Sequence, residues 1–177
     1  MVEVKKNSST LATFVYDGDG NRVKGAITVE AITTNIGNPS LGSGQCYFEW
    51  VSSTNNMKKY YYAGATRVAM RTGSSTINYL LGDHLGSQAI TTDANGSKIS
   101  EVRYYPWGGD RYYAYTSSTT FRFTGQRTEF GLGLYYYGAR WYDSLTGRFI
   151  SADSIVPGAG NPQAYDRYAY VMNNPLR

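Results

Sequence analysis

The sequence predicts an all-β protein built from successive antiparallel hairpins, with one short helix near residues 162–168. Three observations carry that expectation. Of 177 residues, 18 are tyrosine and 20 glycine, and charged residues make up only 17%, against an ordinary share of roughly 7% glycine and 25% charge. Short aromatic or β-branched runs are bounded by Gly, Asp and Asn, the punctuation of strands and tight turns. One turn motif also recurs along the chain. Disorder requires few aromatics and a high net charge. A helical bundle requires much Ala, Glu, Lys and Leu. Neither composition is present.

Taken in order, the strand-like runs are residues 14–24 (FVYDGDGNRVK), 60–71 (YYYAGATRVAMR), 77–84 (INYLLGDH), 88–105, 121–127 (FRFTGQR), 132–143 (LGLYYYGARWYD) and 147–153 (GRFISAD). They predict roughly eight to twelve strands. Residues 1–13 either pair as an edge strand or hang free. The polar, turn-rich stretch 31–45 (AITTNIGNPSLGSGQ) reads as a loop within a first part, 1–76, which is followed by a second part, 77–177. Residues 115–120 (YTSSTT) read as a second, shorter loop. The helix rests on Asn161 as a cap and Pro162 at the first helical position, and extends for a turn or two.

The recurring turn is D-x-x-G-x-[RK]-[VI]. It runs from Asp17 through Gly20 to Arg22, and from Asp93 through Gly96 to Lys98; a looser copy runs from Asp143 through Gly147 to Arg148 and Phe149. The acid can accept a hydrogen bond from the backbone just beyond it, glycine takes the positive-φ position, and the base restarts the outgoing strand. Tyr16 and Tyr142 precede the acid on the incoming strand, where aromatics pack well.

Several function classes fail on the residues. The net charge is +4, and the cations are spread singly, with no basic run longer than two. Nucleic-acid binding needs a clustered stripe. Cys46 is the sole cysteine, so there is no disulfide framework or paired-thiol metal site. The N-terminus has no apolar signal-peptide segment, and no run approaches the roughly 20 apolar residues of a membrane helix. Asp17, Asp19 and Asn21 imitate the start of a calcium loop, but Arg22 stands where that loop needs glycine and Thr28 where it needs glutamate. Asp83, His84 and Ser87 hold the ingredients of a hydrolase triad without a G-x-S-x-G elbow. Nothing singles out two of Asp83, Asp93, Asp110, Asp143, Asp153 and Asp166 as a glycosidase pair. The tyrosine triplets offer Tyr60, Tyr62 and Tyr135 as a sugar-stacking face, with cross-strand packing as the alternative. No catalytic, metal or cofactor residue is expected.

The motifs converge on a resemblance. YLLGDHLGS (79–87, with Asp83, His84 and Gly86), TTDANG (91–96), YYPWG (104–108, with Trp107 and Gly108) and FTGQR (123–127, with Gly125, Gln126 and Arg127) occur in order. GLYYYGARWYD (133–143, with Tyr136 and Arg140), GRFISAD (147–153, ending at Asp153) and NPQAYDRYAYVMNNPLR (161–177) follow. The last string holds Arg167, Tyr168, Tyr170, Asn173, Asn174 and Pro175. Together they resemble the RHS-repeat-associated core domain of RHS/YD-repeat proteins, and YDGDGNRVK resembles a single YD repeat. The resemblance implies hairpins of YD-repeat type in a curved or spiralling sheet, a partial shell whose core domain closes one end around a C-terminal effector, often a toxin. Family members that cut themselves use a D-P-x-G segment downstream of N-N-P. The present sequence stops at Arg177 without it, so Asp153 and Asp166 are given no protease role.

The leading expectation is therefore a non-enzymatic encapsulation module, secreted or at the cell surface in the full-length protein. Its partners are the remainder of a shell or an effector polypeptide, with self-association through sheet edges. The alternatives are an adhesin-like module that binds carbohydrate or protein through surface tyrosines, and the remnant of an aspartyl-type autoprotease.

Overall fold

The computed structural model describes residues 1–20, 22–28, 32–37, 48–51, 55–114, 119–129, 131–156, 158 and 160–176, the side chains of 32–37 excepted. Fifteen strands form among them, more than the run-counting predicted. They are β1 (Val2–Lys6), β2 (Ser9–Tyr16), β3 (Arg22–Ile27), β4 (Ile32–Gly37), β5 (Phe48–Val51), β6 (Asn56–Ala63), β7 (Thr66–Thr72) and β8 (Thr76–Gly82). Next come β9 (Gln88–Thr92), β10 (Lys98–Tyr104), β11 (Asp110–Ala114), β12 (Arg127–Glu129), β13 (Leu134–Tyr136), β14 (Trp141–Asp143) and β15 (Arg148–Phe149). The first eleven strands form one sheet in strict chain order, and the last four form another, also in chain order. The chain divides into two compact units, Met1–Leu80 with Thr92–Ser97, and Leu81–Thr91 with Lys98–Arg177.

In the first unit, β1 pairs antiparallel with β2, so residues 1–13 form an edge hairpin rather than a free tail. The β2–β3 turn obeys the predicted chemistry. Asp17 Oδ1 accepts from the Asp19 amide at 3.0 Å, the Gly20 amide donates to the Asp17 carbonyl at 3.2 Å, and Gly20 sits at φ +83°. The register slips between Val15 and Tyr16 ahead of this turn and between Tyr61 and Tyr62 ahead of the β6–β7 turn. Each slip is a bulge that increases local twist.

The loop expected over residues 31–45 is corrected in part. Ile32–Gly37 is a strand, with Thr34 opposite both Gly25 and Val51. Four of its six residues (Ile32, Thr33, Thr34 and Ile36) are β-branched, which outweighs the polar composition of the longer stretch. Residues 38–45 lie outside the described ones, as do 115–118 of the second expected loop.

Among the described residues, the buried hydrophobic side chains of this unit are Ala12, Phe14, Ile27, Tyr60, Ala69, Met70 and Leu80. Arg22 is buried with them, its guanidinium 5.0 Å from the Phe14 ring centre. Glu49 is 1% exposed and accepts the Tyr60 hydroxyl proton at 2.7 Å. The Glu49 carboxylate thus keeps a hydrogen-bond donor inside the sheet, as burial of a charge demands.

The expected helix is a single 3₁₀ turn, Pro162–Tyr165, with Asn161 accepting from the Gln163 amide. It stops early because Asp166 turns back on itself: its Oδ1 accepts from the Tyr168 amide at 3.3 Å. An aspartate offering its own backbone a local partner competes with helix continuation. Two further short turns, Phe123–Gly125 and Val171–Asn173, run through positive-φ backbone, at Thr124 and Gly125 in the first and at all three residues in the second.

Candidate functional site

In the second unit, the tyrosines that dominate the composition become a core. Phe123, Tyr135, Tyr142, Phe149 and Tyr170 are buried together, with Leu85, Tyr104, Trp107 and Tyr137 packed against them. β13, β14 and β15 supply their members by register: Tyr135 stands opposite Tyr142, and Tyr142 opposite Phe149. Ring centres lie 4.6 Å apart for Tyr142–Tyr170 and 5.6 Å for Tyr137–Phe149, the latter edge to face. Such tilted arrangements add roughly 0.5–1.5 kcal/mol per pair beyond burial.

The hydroxyls are satisfied inside the cluster. Tyr142 donates to the Trp107 carbonyl at 2.8 Å, Tyr135 to the Gly108 carbonyl at 3.2 Å, and Tyr104 to the Gln88 carbonyl at 2.8 Å. Tyr137 meets Thr124 Oγ1 at 2.6 Å and donates to the Tyr170 hydroxyl at 3.0 Å. Burial pushes the Tyr104, Tyr137 and Tyr142 hydroxyls well above the ordinary phenol range, and Tyr135 up to about 12. Tyr142→Phe is expected to cost about 1–2 kcal/mol, because the Trp107 carbonyl loses its partner while the ring remains. Urea unfolding measures this; an unchanged midpoint would show that the bond contributes nothing.

The proposed glycan-stacking tyrosines do not form a face. Tyr60 is 3% and Tyr135 4% exposed. Tyr62 is half-buried, and Arg67 donates to its hydroxyl at 3.2 Å. Both buried rings are enclosed by packing, the alternative role for tyrosines that line a sheet.

The hydrolase ingredients are separated by what each atom already does. Asp83 Oδ1 accepts from the amides of Leu85 and Ser87 at 2.9 and 2.8 Å. The Gly86 amide donates to the Asp83 carbonyl at 3.0 Å, and Gly86 has φ +78°. This is the same turn as at Asp93 and Gly96, where Asn95 and Ser97 amides donate to Asp93 Oδ1 at 2.8 and 2.9 Å. His84 is exposed at the turn tip. Ser87 is fully buried, and its hydroxyl oxygen accepts from the Thr124 amide at 3.0 Å. Sequence reading missed this further copy of the turn, because its outgoing residues are Ser87-Gln88 rather than a base.

The six carboxylates considered for glycoside chemistry divide evenly. Asp83, Asp93 and Asp143 hold turns; in the third, Leu145 donates to Asp143 Oδ1 at 2.9 Å and Gly147 to its carbonyl at 2.9 Å. Asp110, Asp153 and Asp166 pair with arginines: Arg122 at 2.9 Å, Arg140 at 2.8 Å and Arg148 at 3.1 Å.

The arginines of the motif strings tie loops to the core. Arg140 lies 3.7 Å above the Phe149 ring centre and donates to the Arg167 carbonyl, while Arg167 donates to the Asp153 carbonyl. Arg127 and Glu129 form a buried pair at 2.8 Å on β12. Tyr136 packs on Trp141 with ring centres 5.1 Å apart. Arg122, which sequence reading passed over, is more central than any of these. Its side chain is 4% exposed, its guanidinium lies near the Tyr104 and Tyr113 rings, and its backbone holds the Gly125 and Gln126 turn. Its sequence signal was the alternation in FRF, which brackets the arginine with phenylalanines.

At the C-terminal end, the Asn173 and Asn174 amides donate to the Tyr170 and Val171 carbonyls, and Pro175 follows, half-buried. A cavity of about 140 Å³ is lined by Trp107, Leu145, Gly147, Arg148 and Asn173 among others. That is well below the roughly 300 Å³ at which ligand pockets begin. Among the described residues, no three His, Cys, Asp or Glu side chains group as metal ligands. Among the described residues, no helix is long and apolar enough to cross a membrane.

Comparison with known proteins agrees with this architecture. The family model Teneurin YD-shell matches residues 49–176. Toxin subunit YenC2 of Yersinia entomophaga is 38% identical over 96 residues, which is 51% of this chain and 9% of that protein. The tRNA nuclease WapA of Bacillus subtilis strain 168 is 24% identical over 178 residues, covering 99% of this chain and 8% of that protein. In the TcdB2-TccC3-Cdc42 crystal structure, a similar fold covers 99% of this chain and 9% of the matched one, with a TM-score of 0.73 and 25% identity. The chain thus spans about a tenth of the length of the relatives it matches. Hairpins joined in chain order, Asp-to-Gly turns and a tyrosine core accompany a family match over most of the sequence: the chain belongs to the Teneurin YD-shell family of RHS/YD-repeat shell proteins.

Proposed function

We propose that this chain is a non-enzymatic wall and end-closing segment of an RHS-type shell that carries a C-terminal effector in a secreted or cell-surface bacterial protein. The observation that carries the proposal is the sheet that grows one strand at a time in chain order, with β1 at its edge. An edge strand presents unpaired backbone groups along its length, and a preceding hairpin of the same chain can continue the sheet there. Residues 1–76 act as wall hairpins and 77–177 as the core module. The shell's remaining repeats and an effector polypeptide are the partners. Asp83, Asp93 and Asp143 are engaged in turns, and Asp110, Asp153 and Asp166 in ion pairs with Arg122, Arg140 and Arg148, which supports a structural use of their charges.

The test is limited proteolysis of the full-length parent protein. The polypeptide following residue 177 is expected to resist protease while the sheet is folded and to become cleavable when urea unfolds it. Cleavage at the same rate in both conditions would sink the proposal.

A further inference from the structure

One face of the first unit's sheet is left apolar and positively charged. Along β5 to β8, alternate residues point to opposite sides. On one side Glu49, Tyr60, Met70 and Asn78 are buried. On the other, Trp50, Met57, Tyr61, Ile77 and Tyr79 are 36–47% exposed. The register orders these into rows. Tyr61 stands opposite Ala69, and Ala69 opposite Tyr79, so two tyrosines flank a small residue across about 10 Å, two strand spacings. In the adjacent row Lys59 stands opposite Arg71, and Arg71 opposite Ile77. Trp50 and Met57 form the next row.

The two cations are the informative part. Arg71 Nε is buried without a hydrogen-bond partner. Neither Lys59 nor Arg71 has an ion pair among the described residues, and no carboxylate of those residues lies on this side of β5–β8. Exposed apolar side chains gathered on one sheet face mark an interaction surface, and the cations set between them state its charge preference.

We propose that this face docks an acidic amphipathic α-helix of a partner polypeptide, its apolar stripe lying over the Tyr61–Ala69–Tyr79 row and its carboxylates meeting Lys59 and Arg71. Each competing occupant fails on a particular observation. An extended peptide would need a free strand edge, yet β5 to β8 are interior strands whose backbone is paired on both sides. A second copy docking through the same patch would set Lys59 and Arg71 against their own equivalents across a twofold axis. Lipid insertion uses protruding side chains, whereas these lie half-covered in a sheet. A helix is the element that ordinarily covers an apolar sheet face.

The test is selection from a displayed library of 18-residue helices with a fixed apolar stripe and randomised flanking positions. The targets are the wild-type chain and the Lys59→Glu/Arg71→Glu variant, with far-UV circular dichroism confirming that both fold alike. Wild type is expected to enrich Asp and Glu at the flanking positions, and the best helix to bind at least ten-fold more weakly to the variant and more weakly as salt rises. Ile77→Ser, which keeps the charges, is expected to weaken the same helix several-fold. Equal enrichment on both targets would overturn the proposal. So would preferential binding of phosphatidylserine vesicles or heparin over every selected helix, or a concentration-dependent wild-type dimer abolished by the charge reversal.

Discussion

Between pH 10 and 12, the aromatic core of the second unit is expected to come apart. Tyr104, Tyr137 and Tyr142 are held above the ordinary phenol range by burial, and Tyr135 reaches about 12. A hydroxyl whose folded pKa exceeds its unfolded value near 10 keeps its proton longer in the folded state. Its contribution to stability is complete below pH 10 and is lost as pH rises toward the folded value, by up to about 1.4 kcal/mol per pH unit per group. With four such groups in one cluster, two pH units offset a net stability of the usual 5–15 kcal/mol. Absorbance at 295 nm should therefore rise in two stages, the second carried by these four buried hydroxyls. Near-ultraviolet circular dichroism should vanish with the second stage. A single titration near pH 10 that leaves that signal intact would refute the account.

Gly108→Ala is expected to cost about 2–5 kcal/mol, although it adds one methyl group. Gly108 closes the Tyr105-to-Gly108 turn at φ +84°, and a Cβ there would lie 2.5 Å from Phe123 Cδ1. The left-handed conformation costs an L-residue about 1–2 kcal/mol, and overpacking a filled core costs about 1–3 more. Gly96→Ala separates the two costs. Its φ is +83° with nothing within 4 Å of the added carbon, so about 1–2 kcal/mol is expected. Urea midpoints of the two variants measure the difference. Equal losses would mean that the core gives way freely around Phe123.

The repeat unit was legible because its chemistry is local. Asp17, Asp93 and Asp143 each bind the amide two residues on, and the spacing to glycine is fixed by that ring of bonds. The turn at Asp83 obeys the same rule but was read as a possible catalytic string, because His84 and Ser87 drew attention away from Gly86. What composition could not supply was the side of the sheet on which each tyrosine falls. Tyr60 and Tyr62 share one face, as alternation along β6 predicts, with Arg67 lying over both rings, but that face is the covered one. Strand β4 was hidden by the Gly, Pro and Ser that follow it, since a window over residues 31–45 averages a β-branched start with a turn-rich end. The burial of Arg122 was invisible for a different reason: its partners Tyr104, Asp110 and Tyr113 come from another strand pair, and only the tertiary fold brings them together.

Pairing in chain order also sets a timetable. Each strand of both sheets finds its neighbour in the segment just made, so the loops to be closed are short, and such local contacts form quickly as a chain emerges residue by residue. The aromatic core keeps a different clock. Its rings are contributed from Tyr104 through Phe123, Tyr135, Tyr142 and Phe149, and Tyr170 is the last of them, touching Phe123, Tyr137, Tyr142 and Phe149. Hairpins can therefore be in place while the core is still open, and locking waits on a residue delivered after all fifteen strands. A nascent chain arrested before Tyr170 should be ordered in its sheets and loose in its aromatic core, and the delivery of Tyr170 is the step that shuts that core.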